Sequence, residues 1–268
     1  DGTIIAGGAR SNDDAAHSGG HVRVFEWNGS DWSQLGVDID GDIEYGAAGR
    51  CALSDDGHTV VIGANGEDSL LTNSGSVRVY HWNGSSWNQM GSQLIGEASG
   101  DEFGSAVDIS ADGTIIAVGA NGNDGTAINA GHVRIFEWDG SSWVQIGSDI
   151  DGESFADNSG RYLSLSNNGD TIAIGSSYND DGGNNAGHVR VFSWNGTFWS
   201  QVGADINGEE DAIAGKVALN GDGTRLIIGA NGYDPGGLAR VYFWDGTDWV
   251  KEGQDLLGEA PNDNYGNR

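Results

Sequence analysis

All ten tryptophans of this chain fall in five pairs whose members stand five residues apart: Trp27/Trp32, Trp82/Trp87, Trp138/Trp143, Trp194/Trp199 and Trp244/Trp249. The first members recur at intervals of 55, 56, 56 and 50 residues. A repeat this regular constrains the fold before any local propensity does, because units of one kind must bury their apolar faces against each other.

Each unit reads as four short strands. In the second, residues 50–54 form a first strand, and Asp56-Gly57 turns the chain into Thr59–Ala64. The unbroken β-branched run of that second strand predicts burial on both faces. A polar loop then leads to Ser76–Trp82, and Asn83-Gly84 turns the chain into a fourth strand over 87–94. Asn-Gly and Asp-Gly between apolar runs signal tight hairpins, since both residues accept positive φ. The first turn recurs at Asp1-Gly2, Asp112-Gly113, Asn168-Gly169 and Asp222-Gly223, and the second at Asn28-Gly29, Asp139-Gly140, Asn195-Gly196 and Asp245-Gly246. No segment holds a 3.6-residue period. Four-stranded units of some 50 residues predict an all-β propeller of five four-stranded blades, with 1–268 as a single domain. A parallel β-helix competes less well, because its repeats are shorter and lack two tight hairpins each.

The run Gly258-Glu259-Ala260 to Tyr265-Gly266 matches Gly96-Glu97-Ala98 to Phe103-Gly104. Residue 268 therefore falls where Ala106 lies and Asp1 where Asp112 lies, so about five residues, one inner strand, separate the ends in this register. Blade one is expected to be shared between the termini, with part of a larger, seven-bladed propeller as the alternative. The chain starts in mid-unit, without Met or a signal peptide, and reads as a mature fragment, an expressed domain or a partial trace.

Composition narrows the function classes. Glycine, 47 of 268 residues, would suggest disorder, but disordered chains are poor in aromatics and this one is not. No apolar stretch approaches the ~20 residues of a membrane helix. One cysteine excludes an internal disulfide framework. Forty acidic against twelve basic residues give a formal net charge of −28, which argues against a nucleic-acid partner.

The stretch from Phe103-Gly104 through Ile115-Ile116-Ala117-Val118 to Gly119-Ala120 resembles the FG-GAP repeat. The stretch from Asn179-Asp180-Asp181 to Val191-Phe192 is similar to the second half of the bacterial-type version of that repeat. The resemblance spans all five units. It implies a propeller of the integrin-α kind, an extracellular or cell-surface location, and adhesion or recognition rather than catalysis. Two departures stand out. The Pro of Gly-Ala-Pro is replaced by Arg10, Asn65, Asn121, Ser177 and Asn231, and the family's calcium loop is reduced to tight turns such as Ser54-Asp55-Asp56-Gly57. The family's calcium residues therefore do not carry over, since calcium needs six to eight oxygens from a loop that wraps it.

In a propeller the second-to-third-strand loops and the blade connections emerge on one face, which here collects 22 of the 40 acids. Such a face either keeps the chain soluble or coordinates Ca²⁺, with Asp13, Asp14, Asp124, Asn179, Asp180 and Asp181 as candidate ligands. The third strands each carry one Arg (Arg23, Arg78, Arg134, Arg190, Arg240), read as partners of neighbouring acids. His21, His132 and His188, two residues earlier, read as hydrogen-bonded structural side chains. The tryptophans either meet across strands or offer Trp32, Trp87, Trp143, Trp199 and Trp249 for stacking on sugars, as in a multivalent lectin. Asn28, Asn83 and Asn195 lie in Asn-x-Ser/Thr and are glycosylation candidates.

With no nucleophile elbow or phosphate loop, and Cys51 in an apolar strand, the chain is expected not to be an enzyme. The expected function is an extracellular recognition, adhesion or structural module, with Ca²⁺ as the sole cofactor considered. Its expected partners are a protein or glycan on the acidic face, or further copies of itself, with no insertion into a membrane.

Overall fold

Among the residues described by the computed structural model, 2–68 and 71–267, every regular element is a β-strand. The strands make five antiparallel sheets that succeed one another along the chain, the arrangement of a β-propeller. In the second sheet Arg50–Leu53, Thr59–Ala64 and Ser76–Trp82 pair in order. Its outer edge is split into Trp87–Gln89 and Leu94–Ile95, where the sequence suggested one strand. The break falls around Gly91, whose φ of 70° swings the backbone out of the ladder.

The two turns of each unit form as their dipeptides require. Gly57 and Gly113 hold φ of 69° and 74° in the inner hairpins, and Gly84 and Gly140 hold 94° and 96° in the outer ones. The turn expected at Asp1-Gly2 begins on a residue outside those described. Successive inner turns are also tied to each other, by Asp55 N–H to Ala111 O, Ala111 N–H to Asn167 O and Asn167 N–H to Gly221 O.

Thr59–Ala64 is buried throughout, as its unbroken apolar run predicts. The four apolar clusters each draw on two successive sheets; one joins Val77 and Val79 to Ile116, Val118 and Phe136. The core thus lies between sheets, so no sheet is stable without a neighbour.

The tryptophans are the main bolts of these interfaces. Each pair meets across its own hairpin with ring centroids 5.4–5.7 Å apart. The second ring also reaches back to the preceding sheet: the indole N–H groups of Trp87, Trp143, Trp199 and Trp249 donate to Leu35, Met90, Ile146 and Val202 carbonyls at 2.8–3.0 Å. Both rings of the pair lie over the outer-strand glycine there. A Cβ at Gly91 would lie 2.9 Å from Trp138, and one at Gly36 would lie 2.7 Å from Trp82.

This pattern stops at the two ends. A Cβ at Gly253 would meet nothing within 4 Å, and Trp27 and Trp32 are 39% and 43% exposed. The first sheet has no strand inside Ile4–Ala9 among the described residues. Gly266 nevertheless packs against Gly229 as Gly49 packs against Gly8, so Asn267 stands where Arg50 stands in its own unit. A cavity of about 700 Å³ lies beside this position, lined by Gly8 and Arg10 on one side and Ile227, Gly229 and Gly266 on the other.

Burial predicts unequal tryptophans. Trp143→Ala should cost about 3–5 kcal/mol in urea denaturation, whereas Trp32→Ala should cost under about 1 kcal/mol as a surface change.

Candidate functional site

The second-to-third-strand loops and the blade connections do share one face. They are zipped together by backbone bonds such as Ala47 N–H to Ser18 O, Glu102 N–H to Asn73 O and Asn158 N–H to Asn129 O. Much of the acid on this face is engaged in holding it. Asp13, Asp124 and Asp180 each accept the N–H of the residue five positions on, at 2.6–2.8 Å. Those residues, Ser18, Asn129 and Asn185, hold φ near +50°. Asn179 is buried and bonds to Asp157 and to the Asp181 N–H. Of the five candidate calcium-binding aspartates, Asp14 and Asp181 stand in groups whose ligand atoms converge.

At the centre of the face the charge reverses. Arg10, Arg50 and Arg161 line a cavity of about 420 Å³ with Asn65, Glu102, Ser105, Asn121 and Asn158. It is continuous through Arg10 and Arg50 with the larger cavity, where Tyr162 and Lys216 join the wall. Walls drawn from every sheet place these cavities on the propeller axis.

The positions are equivalent in the repeat. Arg50, Arg161 and Lys216 each come directly after the glycine that opens an inner strand, and Arg10 takes the place of the missing Pro. Seven other cations have a carboxylate within 4.0 Å: Arg23, Arg78, Arg134, Arg190, Arg225, Arg240 and Lys251. The third-strand arginines are thus paired as their sequence setting suggested. The four axial cations have no such partner among the described residues.

They lean on neutral groups instead. Arg10 donates to Asn65 Oδ1 at 2.5 Å, Lys216 donates to Asn231 Oδ1, and the Lys216 ammonium lies 5.3 Å from the Tyr162 ring centroid. Arg161 sits over Tyr178 at 5.5 Å. Burial pushes the Lys216 ammonium down to about 8, with Arg161 adding repulsion, and burial and Arg50 lower Arg10 in the same way. Sequence reasoning passed over these four, although three recur at one position of the repeat.

A second set of groups gathers at the start of the third strands. His188 lies with Glu153, Asp181 and Asp205, His21 with Asp14 and Asp38, and His132 with Glu97 and Asp149. These histidines were expected to be hydrogen-bonded, yet His21 Nδ1, His132 Nε2 and both nitrogens of His188 are buried without a partner. Burial lowers the His132 and His188 pKa values, favouring neutral imidazole. The acidic groups could hold a metal ion.

The remaining candidates separate by burial. Trp143 and Trp249 are buried, and Trp87 and Trp199 are half-covered and bonded to the preceding sheet, so Trp32 has the most open ring for stacking on a sugar. Asn28, Asn83 and Asn195 are exposed, with each Oδ1 accepting the N–H groups that close its turn. The short inner turns do not fit calcium: Asp56 and Asp112 spend their carboxylates on Ser54, His58, Ser110 and Thr114. Cys51 is pushed up to about 11 by burial and is no nucleophile at neutral pH.

Residues 96–136 match the family model of the FG-GAP repeat, which bears out the resemblance in the third unit. No curated protein matches the sequence. Among solved structures, a provisionally named 6-phosphogluconolactonase from Bacteroides uniformis is similar at 14% identity and TM-score 0.65, over 98% of this chain and 71% of that one. The periplasmic gluconolactonase of Pseudomonas aeruginosa gives 14% and 0.64, over 97% and 70%. The β-propeller domain of the Trilobed protease from Pyrococcus furiosus gives 11% and 0.53, over 93% and 68%. These likenesses establish the propeller fold. They also overturn the expectation that the chain is not an enzyme: it rested on the lack of familiar catalytic motifs, and proteins named as lactonases share this architecture.

Lys216 and Lys251 are the chain's two lysines, so dimethyl-¹³C labelling should resolve both, with Lys216 titrating near 8. A folded pKa below the unfolded value means that the folded chain binds fewer protons between about pH 8 and 10.5. The Lys216 contribution to stability should therefore rise with pH across that window, and Lys216→Met should flatten the slope.

Proposed function

We propose that this chain is an extracellular or periplasmic FG-GAP propeller whose axial mouth binds a small polyhydroxylated anion, a sugar acid or its phosphate ester. One observation carries the reading: four cations with no carboxylate within 4.0 Å among the described residues, Arg10, Arg50, Arg161 and Lys216, line the axial cavities of a chain with a net charge of −28. Cations in so acidic a protein are readily paired, and leaving Lys216 buried and Arg10 and Arg161 half-buried without a carboxylate partner among the described residues costs stability that a bound anion restores. Arginine forks suit carboxylate and phosphate, and the surrounding Asn, Ser and Tyr groups suit hydroxyls.

The names of the lactonase neighbours point to the same ligand chemistry, and the periplasmic one supports a location outside the cytoplasm. Ring opening of a sugar lactone is the reaction that goes with this reading. Water adds to the lactone carbonyl, the ring C–O bond breaks, and a carboxylate and a hydroxyl remain. Fixed cations stabilise the intermediate oxyanion and hold the carboxylate product.

Isothermal titration with 6-phosphogluconate should show one site, weakened at least tenfold in Arg50→Gln and Arg161→Gln, and weakened in wild type as pH rises through about 8 and above. Absent binding, or binding indifferent to both substitutions, sinks the proposal. Release of acid from the lactone by wild type alone would establish turnover.

A second reading, a building block of an extracellular assembly, is favoured by the uncovered Trp27/Trp32 pair and the open Gly253 seat. Four internal interfaces show the tryptophan-on-glycine contact that could join one copy to the next, head to tail. Sedimentation velocity should then show larger species at high concentration and salt, where charge repulsion is screened, with Trp32→Ala monomeric. A wild type that stays monomeric rejects this reading.

A further inference from the structure

We propose that Glu153, Asp181, His188 and Asp205 form a binding site for a divalent transition-metal ion, with one imidazole nitrogen and three carboxylate oxygens as ligands. The four side chains come from four separate segments. Glu153 lies in the connection from the third sheet to the fourth, and Asp181 in the loop of the fourth unit. His188 opens the strand His188–Trp194, and Asp205 stands just before Ile206–Asn207. One ligand atom from each lies within 4.8 Å of the others, close enough for side-chain adjustment to bring all four onto one ion with bonds of about 2.0–2.2 Å.

The independent observation is the imidazole. His188 is fully buried, both ring nitrogens lack a hydrogen-bond partner among the described residues, and Nδ1 is 4.0 Å from Glu153 Oε2. A buried polar atom without a partner is destabilising. Ionised carboxylates accept hydrogen bonds and donate none, so they leave a ring lone pair unmatched. A cation matches the lone pair and the carboxylates together. Arg190 supports the arrangement from behind: its Nη1 lies 3.4 Å from Glu153 Oε1, the other oxygen of that carboxylate, and its Nη2 donates to Asp151 O at 2.6 Å. Hydrogen bonding to a ligand's second oxygen is how outer groups orient metal-binding carboxylates.

The other units act as internal comparisons. Where the third strand opens with His21, His132 or His188, the equivalent outer-strand residue is an acid: Asp38, Asp149 or Asp205. The second unit has Ser76 in place of His and Gln93 in place of Asp. There the space closes without an ion, with Ser76, Gln93 and Arg78 all donating to buried Glu67. Imidazole and carboxylate are replaced together in the second unit, whereas the fifth has Leu238 at the imidazole position and keeps Asp255 as the partner of Arg240. The fourth unit has the fullest set, and its mixed nitrogen and oxygen donors suit Zn²⁺ or its neighbours over Ca²⁺, which takes oxygen alone.

The test is titration of the EDTA-treated full chain with ZnCl₂, read by calorimetry, by melting temperature and by ring resonances of ¹⁵N-labelled histidine. Saturable binding should raise the melting temperature and shift the His188 nitrogens. Asp205→Asn and Glu153→Gln, partly exposed and therefore compatible with folding, should lower the affinity of this site at least tenfold, with the metal-free melting temperature of each variant separating lost binding from lost stability. No binding, unmoved His188 resonances, wild-type affinity in both variants, or a preference for Ca²⁺ over Zn²⁺ would each overturn the proposal. The outcome is independent of anion binding on the axis, which the 6-phosphogluconate titration reads separately.

Discussion

The contact on which the rest of this structure depends is a tryptophan seated on a glycine of the preceding sheet. It supplies apolar area, a directional indole hydrogen bond and a fixed offset at the rim of each interface. Because the apolar clusters span pairs of sheets, a sheet that loses this contact loses its share of core as well. The glycine serves twice. Its left-handed φ splits the outer strand in four sheets and leaves a register shift in the fifth, Trp249–Leu257. In the four internal interfaces the absence of a Cβ makes room for the tryptophan pair that bonds the neighbouring carbonyl. Repeating this contact with one offset is what turns five similar sheets into a propeller rather than a loose string.

That architecture was legible because it is written in local signals. The tryptophan spacing, the Asn-Gly and Asp-Gly turns and the β-branched second strands each state a conformation within a few residues. The four-strand pattern and the acidic face came from them. The split outer strand was less legible, since Gly91 sits in a run whose residues otherwise suit one strand. So was the direction in which Trp87 and Trp143 reach, because both sides of a blade look alike until the offset is known.

The axial cations lay beyond local reading for a different reason. Arg10, Arg50, Arg161 and Lys216 are far apart in sequence, and each alone looks like an ordinary polar residue at a strand end. Only the arrangement of the sheets around an axis brings them into shared cavities, where Glu102 is the one acid among the lining residues. The third-strand arginines show the contrast. Their partners, such as Asp38 for Arg23 and Asp255 for Arg240, lie fifteen residues away in the same unit, so the repeat itself announces the pair.

Function in such an array concentrates where the repeat is broken. Keeping the tryptophan, glycine and turn positions the same in all five units keeps the scaffold, and those positions leave little room for chemistry. Positions that vary from unit to unit are free of that duty: Arg50, Ser105, Arg161 and Lys216 at the head of the inner strands, and His21, Ser76, His132, His188 and Leu238 at the head of the third. The first set faces the axis and breaks the five-fold likeness in charge, as recognition of one asymmetric small ligand requires. The second set lies within single units and can be filled, emptied or hydrogen-bonded shut without disturbing its neighbours, as the second unit shows with Ser76, Gln93 and Glu67. A propeller of this kind can therefore carry one shared axial site and several independent ones, and the varying residues, more than the repeated ones, decide what each of them holds.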